Sequence, residues 1–232
     1  MVVGTNDRRA HQEKKMKTRN IIQAPMGETT VLLHTCCAPC SSAIIEALMK
    51  NGITPVIYYC NPNIYPQEEY EIRKNECTRY AQSLGLEIVD ADYDHQVWLD
   101  AVRGLENEPE RGGRCLKCFK LRLLRTARYA QQRGIKVITS TLASSRWKSL
   151  EQINHAGQWA CDAVRQESSA NFVKGDAVQE DNVIVPPLNE VVWWGHNWKK
   201  GGLQERRLEI IRQYDFYNQL YCGCEFSMRK ED

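Results

Sequence analysis

The feature that most constrains the fold is the alternation of short apolar, β-branched runs with longer segments of helical period. Thr29 to His34, Pro55 to Tyr59, Leu86 to Val89 and Ile135 to Ser140 read as strands. Between them, Ser41 to Lys50 has helical spacing and is closed by Asn51-Gly52. A second helix opens at Pro66 with Glu68 and Glu69 in its first turn and has Gly85 at its end. His95 to Arg103 and Leu116 to Gln132 follow, then Ser149 to Val164 and Gln204 to Tyr221. Ser168 to Trp198, with two prolines and three tryptophans, has no clear period. Strands separated by helices cannot pair as hairpins, and right-handed crossovers between them build a parallel sheet covered on both faces. The expected fold class is therefore α/β, a Rossmann-like doubly wound parallel sheet. Ligands of such sheets bind beyond the carboxyl ends of the strands, and His34-Thr35-Cys36-Cys37 falls at one such end.

A chain of 232 residues can bury one substantial core, and no Pro/Gly/Ser-rich stretch divides it. The expected organisation is a flexible basic arm over 1–25, carrying Arg8, Arg9, Lys14, Lys15, Lys17 and Arg19, and a single α/β catalytic domain over 26–232. The arm lacks the apolar centre of a signal peptide. No apolar run approaches the roughly 20 residues that span a bilayer, so a soluble, cytoplasmic protein with no membrane partner is expected. A net charge of +2 leaves nucleic acid open as a partner.

Ten cysteines are unusual for such a protein. In a reducing compartment, clustered thiols point to metal binding or redox chemistry rather than a disulfide scaffold. Three groups stand out: Cys36-Cys37-Ala-Pro-Cys40, Cys115-Leu-Lys-Cys118 and Cys222-Gly-Cys224. A C-x-x-C pair suits a 4Fe–4S cluster, and one at the start of a basic helix has free N–H groups that favour thiolate. A structural zinc site suits the same spacing. Neighbouring Cys36 and Cys37 are expected to point apart and to serve two centres. The seven grouped cysteines exceed the four that one cluster needs, which leaves either a second metal ion held by some of Cys37, Cys40 and Cys224 or a redox-active Cys222–Cys224 disulfide. Cys60, Cys77 and Cys161 stand singly and read as small core hydrophobes.

The segments VLLHTCCAPCSS, YYCNPNIYPQEEY, RCLKCFKLRL, STLASSRWKSLEQI, NWKKGG and YCGCEFS, spread over Val31 to Ser227, resemble in order and spacing the QueH-type epoxyqueuosine reductases. The resemblance implies a fold of the adenine-nucleotide α-hydrolase type, a 4Fe–4S cluster, and reduction of the epoxide of epoxyqueuosine at the wobble position of tRNA. It implies two ligand assignments. In one, Cys36, Cys37, Cys115 and Cys118 hold the cluster and Cys222 and Cys224 form a redox pair. In the other, Cys36, Cys115, Cys118 and Cys222 hold the cluster, while Cys37, Cys40 and Cys224 hold an adjacent mononuclear iron; this second assignment explains why two cysteines are neighbours. Asn61, Asn63 and Glu69 become candidate substrate contacts, with Lys199 from the NWKKGG segment. The stretch Phe172 to Trp194 is longer than the family's usual link, so its contacts are not transferred.

Removing an epoxide oxygen takes two electrons and two protons and releases water, and an iron with an open position would weaken the C–O bond as a Lewis acid. Cys40 and Cys224 are thereby candidate catalytic residues. His34 is either a proton donor or a strand-end histidine bound to backbone. The electron donor is not legible. For tRNA, Lys117, Lys120, Arg122, Arg125 and Arg128 are expected to put much of their charge on one helix face, and Lys199, Lys200, Arg206 and Arg207 form a second basic group. Trp193, Trp194, Trp198, Tyr58 and Tyr65 are candidate platforms for an extruded base. Two rival functions remain: a zinc-stabilised RNA-binding module, and an ATP-dependent tRNA thiolation enzyme. The second is disfavoured because the first strand ends in HTCCAPC, without the glycines of a phosphate loop.

Overall fold

The first strand, β1 (Thr30–Thr35), is buried from Val31 onward, as a central strand covered on both faces must be. The computed structural model describes residues 21–145, 147–175 and 190–228. After β1 come α1 (Ala38–Lys50), β2 (Thr54–Tyr59), α2 (Gln67–Ser83), β3 (Ile88–Asp90), α3 (His95–Val102) and α4 (Gly113–Gln132). The chain continues through β4 (Val137–Ser140), α5 (Leu150–Gly175), β5 (Val192–Trp193) and α6 (Leu203–Tyr214). All pairings are parallel, in the order β3-β2-β1-β4-β5. This is the expected doubly wound arrangement.

The strands' alternation sorts the core into two layers. Val31, Leu33, Ile57 and Tyr59 face α1, α2 and α6, against Ile44, Leu48, Tyr70 and Ile210. Leu32, Val56, Tyr58 and Ile138 face α4 and α5, against Phe119, Leu123, Ile153 and Ala160. Cys77 lies in the first layer, Cys60 and Cys161 in the second. The chain builds outward from β1 through β2 to β3 and then crosses back to set β4 on the other side of β1, so the strand order reverses there and a crevice is expected at the carboxyl ends of β1 and β4. The backbone N–H of Cys36 donates across it to Thr141 Oγ1 at 3.2 Å.

Several expectations change. The helix expected to end at Val164 continues to Gly175 as α5, and a short strand, β5, stands in the stretch left without a period. The last helix stops at Tyr214 rather than Tyr221: Asp215 takes a left-handed conformation (φ 49°), and Phe216 turns into the core edge-on to Tyr80. The chain beyond is largely irregular and returns to the loop after β2, where Tyr65 N–H donates to Gly223 O at 2.9 Å. Residues 1–20 of the expected arm and 176–189 of the unassigned stretch lie outside the described residues. Ile22 and Ala24 are already buried, so packing begins before residue 26. No helix among the described residues is long and apolar enough to cross a membrane.

Candidate metal centre

The turn out of β1 gathers the first three thiols. Cys37 is extended (φ −172°, ψ 159°) and caps α1, its carbonyl accepting from the N–H groups of Cys40 and Ser41 at 3.2 Å each. The Sγ atoms of Cys36 and Cys37 consequently lie 3.9 Å apart instead of diverging, and those of Cys36, Cys37 and Cys40 all fall within 4.8 Å of one another. The thiols of Cys37 and Cys40 hydrogen-bond to Cys36 and, with Lys148 and Thr141 nearby, hold it well below the ordinary thiol value. Cys37 is pushed up by the same contact, and Cys40 up to about 12. Cys36 is thus the sulfur poised to carry charge.

The second and third groups meet beside it. Cys115 and Cys118 stand in the first turn and a half of α4, which starts at Gly113, three residues before the sequence pattern suggested. Cys115, Cys222 and Cys224 line one small cavity together with Arg111, Arg114 and Lys148, and Cys118 and Cys224 pack with Trp98 and Val102. Burial raises Cys115 and lifts Cys224 to about 11. All ten cysteines are free thiols. Four sulfurs already receive a donor: Cys36 from Thr141 Oγ1 (3.4 Å), Cys37 from Gln219 Nε2 (2.9 Å), Cys115 from Arg111 N–H (3.3 Å) and Cys118 from Arg122 Nη1 (3.9 Å). Such donors favour the thiolate that a metal requires.

His34 sits beneath this group, fully buried. Its Nε2 faces the Cys60 carbonyl at 3.1 Å and must donate to it, since a carbonyl only accepts; Nδ1 then accepts from Ser140 Oγ at 2.8 Å. Burial, reinforced by Arg122, lowers its pKa to about 3, so it is a neutral brace across the strand ends with both nitrogens engaged. Asn61 is equally committed, donating to Thr35 O at 2.9 Å and accepting from Arg122 Nη2. Glu69 accepts from Arg73 Nε (2.6 Å) and from Tyr217 OH (2.8 Å). Arg73 in turn reaches the carbonyls of Cys222 and Tyr221, each at 3.4 Å. Asn63 is buried beside Gly223, and its Oδ1 has no hydrogen-bond partner among the described residues. Lys199 is half-buried, donates to Lys148 O at 3.4 Å, and is lowered by burial and by Arg111 and Lys148.

The expected basic face of α4 is not a single surface. Arg122 belongs to the helix's buried side, and Arg128 is paired with Glu167 at 2.5 Å. Arg125 approaches Asp94 at 3.9 Å, and Lys120 lies over the Trp159 ring. In the second group, Arg206 pairs bidentately with Glu46 and Arg207 donates to Pro39 O. Of the expected stacking residues, Trp194, Trp198 and Tyr58 are buried and Trp193 is half-buried; Tyr65 is exposed. The sequence pattern did not single out Trp147 and Trp159, both exposed, or Lys148, Arg111 and Gln219. The polar, aperiodic RWKS between β4 and α5, at a strand's carboxyl end, is the signal that would have pointed to Trp147 and Lys148.

Fold and site together define a doubly wound α/β protein with a three-cysteine group suited to metal at the end of β1, and with thiols of two further segments around a cavity that Lys148 also lines. The family model described as "Epoxyqueuosine reductase QueH" matches residues 31–185 and 185–230, and the chain belongs to that family. It is similar to the epoxyqueuosine reductase QueH of Histophilus somni (strain 129Pt), 40% identical over 229 residues, covering 96% of this chain and 84% of that protein. To the Haemophilus influenzae (strain ATCC 51907 / DSM 11121 / KW20 / Rd) protein of the same name it is 41% identical, over 91% of this chain and 76% of the relative. To that of Acinetobacter baylyi (strain ATCC 33305 / BD413 / ADP1) it is 40% identical, over 92% and 87%.

Proposed function

We propose that this protein is an iron–sulfur oxidoreductase that reduces the epoxide of epoxyqueuosine at the wobble position of tRNA to give queuosine, the last step of queuosine biosynthesis. The observation that carries the reading is that Cys36, Cys37 and Cys40 lie within 4.8 Å of one another at the end of β1 while Cys115, Cys222 and Cys224 line a cavity with Lys148, in a chain of this family. The donor set fits the group: soft sulfur ligands, three of them within 4.8 Å of one another, with the basic side chains of Arg122 and Lys148 beside them. Cys36, Cys115, Cys118 and Cys222 would hold a 4Fe–4S cluster, and Cys37, Cys40 and Cys224 an adjacent iron. Bound there, the two supply single electrons from an external donor and a Lewis acid for the epoxide oxygen.

The protein's own part is to position and to exclude. His34 stays neutral and locks the ends of β1 and β4 through Ser140. Arg73, oriented by Glu69, holds the carbonyls of Tyr221 and Cys222 and so keeps the last cysteines over the crevice. Lys199 and Arg111 place positive charge at the mouth, where tRNA phosphates would bind. The exposed ring of Tyr65, which lies against His95, offers a flat surface for a base leaving the anticodon stack.

The test is to purify the protein without oxygen, measure iron, sulfide and zinc, and incubate the reduced protein with tRNA bearing epoxyqueuosine. The expected result is about four sulfides with four or five irons per chain, and queuosine among the digested nucleosides. Zinc without sulfide in protein never exposed to air, with the tRNA unchanged, would favour the zinc-stabilised RNA-binding module instead.

A further inference from the structure

Two cationic side chains are sealed into the protein without a carboxylate. Arg122 is 2% exposed and Lys148 8%, and neither pairs with an Asp or Glu among the described residues. The contrast with the other buried arginines is plain. Arg73 is matched by Glu69, and Arg114 spends its guanidinium on the carbonyl oxygens of Leu105, Glu106 and Glu108. Burying an unmatched charge is costly, so it persists only where something opposite faces it. What faces these two is sulfur. Arg122 points Nη1 at Cys118 Sγ (3.9 Å) while its other donors reach Cys60 O (3.2 Å) and Asn61 Oδ1. Lys148 shares the small cavity with Cys115, Cys222 and Cys224.

We infer that Arg122 and Lys148 are fixed countercharges of the cysteine-bound centre and set its reduction potential. This rests on the iron–sulfur reading above and goes beyond it by giving these two residues a task other than ligation or substrate contact. Thiolate-bound clusters are anionic, and each electron taken up adds one negative charge. A cation held close in a water-poor site stabilises the reduced form more than the oxidised one, so it raises the potential. Arg122, which also ties Cys60 O and Asn61 to α4, fixes one side, and Lys148, on the loop between β4 and α5, fixes the other. Both are positioning residues; neither is required to exchange a proton.

Lys148 gives the cleaner test, because its side chain braces no backbone. Wild type, Lys148→Met and Lys148→Arg would be prepared without oxygen, assayed for iron and sulfide, and titrated with a reductant while the cluster absorbance is followed. At the wild-type midpoint, Lys148→Met should show a reduced-to-oxidised ratio at least tenfold lower, about 59 mV for a one-electron couple. Lys148→Arg should stay within about twofold of wild type. Iron lost from Lys148→Met but kept in Lys148→Arg would also support the assignment, since charge alone separates the two. It would be overturned by a Lys148→Met titration that overlays wild type, by equal shifts in both variants, or by iron lost from both. Wild-type protein holding zinc and no sulfide would instead sink the iron–sulfur reading, and this assignment with it, before any variant is compared.

Discussion

Gly223 shows how little tolerance the site leaves for a single atom. Its φ of 127° lies where side chains are strained, and a Cβ there would stand 3.1 Å from Arg73 Nη1 and from Ile64 Cγ1, and 3.2 Å from Asn63 Nδ2. Gly223→Ala is expected to cost about 1–3 kcal/mol in urea denaturation, and to speed the reaction of Cys222 and Cys224 with a thiol reagent in metal-free protein; unchanged stability and reactivity would mean the loop adapts. At this scale legibility divided by chemistry. Clustered cysteines have few uses beyond metal binding and redox chemistry, so the three groups stood out from the sequence. Arginine has many, and a basic stripe at helical spacing looks the same whether it faces water or, like Arg122, the core. Glu69 was readable as a polar residue in a family segment, but its partner Arg73 lies one turn on and its target, the carbonyls of Tyr221 and Cys222, nearly 150 positions away.

Elements were more legible than side chains, because period and punctuation are local. The first four strands and the helices up to α4 fall within a few residues of their expected bounds, whereas α5 runs to Gly175, eleven residues past its expected end, and β5 stands in a stretch that had no clear period. What period does not report is where tertiary packing ends a helix. The pattern of α6 runs on past Tyr214, and the pull of Phe216 into the core stops it. Lying beside α1, α6 is fixed by Arg206, whose Nε and Nη2 each reach Glu46 at 2.8 Å. That hydrogen bond holds the Glu46 carboxyl below its ordinary pKa. A carboxylate depressed in the folded state stabilises above its unfolded value, near 4.3, and the contribution is lost as pH falls through the folded value. Glu46→Gln should therefore lower stability by about 0.5–1 kcal/mol at pH 7, with the gap to wild type closing below about pH 4. A gap that persists in acid would assign the effect to packing.

Over the whole molecule, the centre is where distant parts of the chain are tied together: the end of β1, the start of α4, the β4–α5 loop and the segment after α6. Beyond Phe216, the segment after α6 has little regular structure of its own, and besides the sulfurs it is held by Tyr65 and Arg73, by Tyr217 on Glu69 and by Glu225 on His95. If the centre binds iron as proposed, the metal should order this segment selectively. Chelating the metal from loaded protein is expected to raise amide exchange over 216–228 well above any change in β1, β2 and β4; no change there would mean the polar contacts alone hold the segment. The same threading sets an order of events during synthesis. Cys222 and Cys224 follow every strand of the sheet in the chain, so the nascent protein displays five of its seven grouped thiols around a half-built socket while translation continues. A metal held by all three segments, as proposed above, would be committed only once residue 224 has emerged, and its maturation would then be a late step, distinct from the folding of the sheet that frames it.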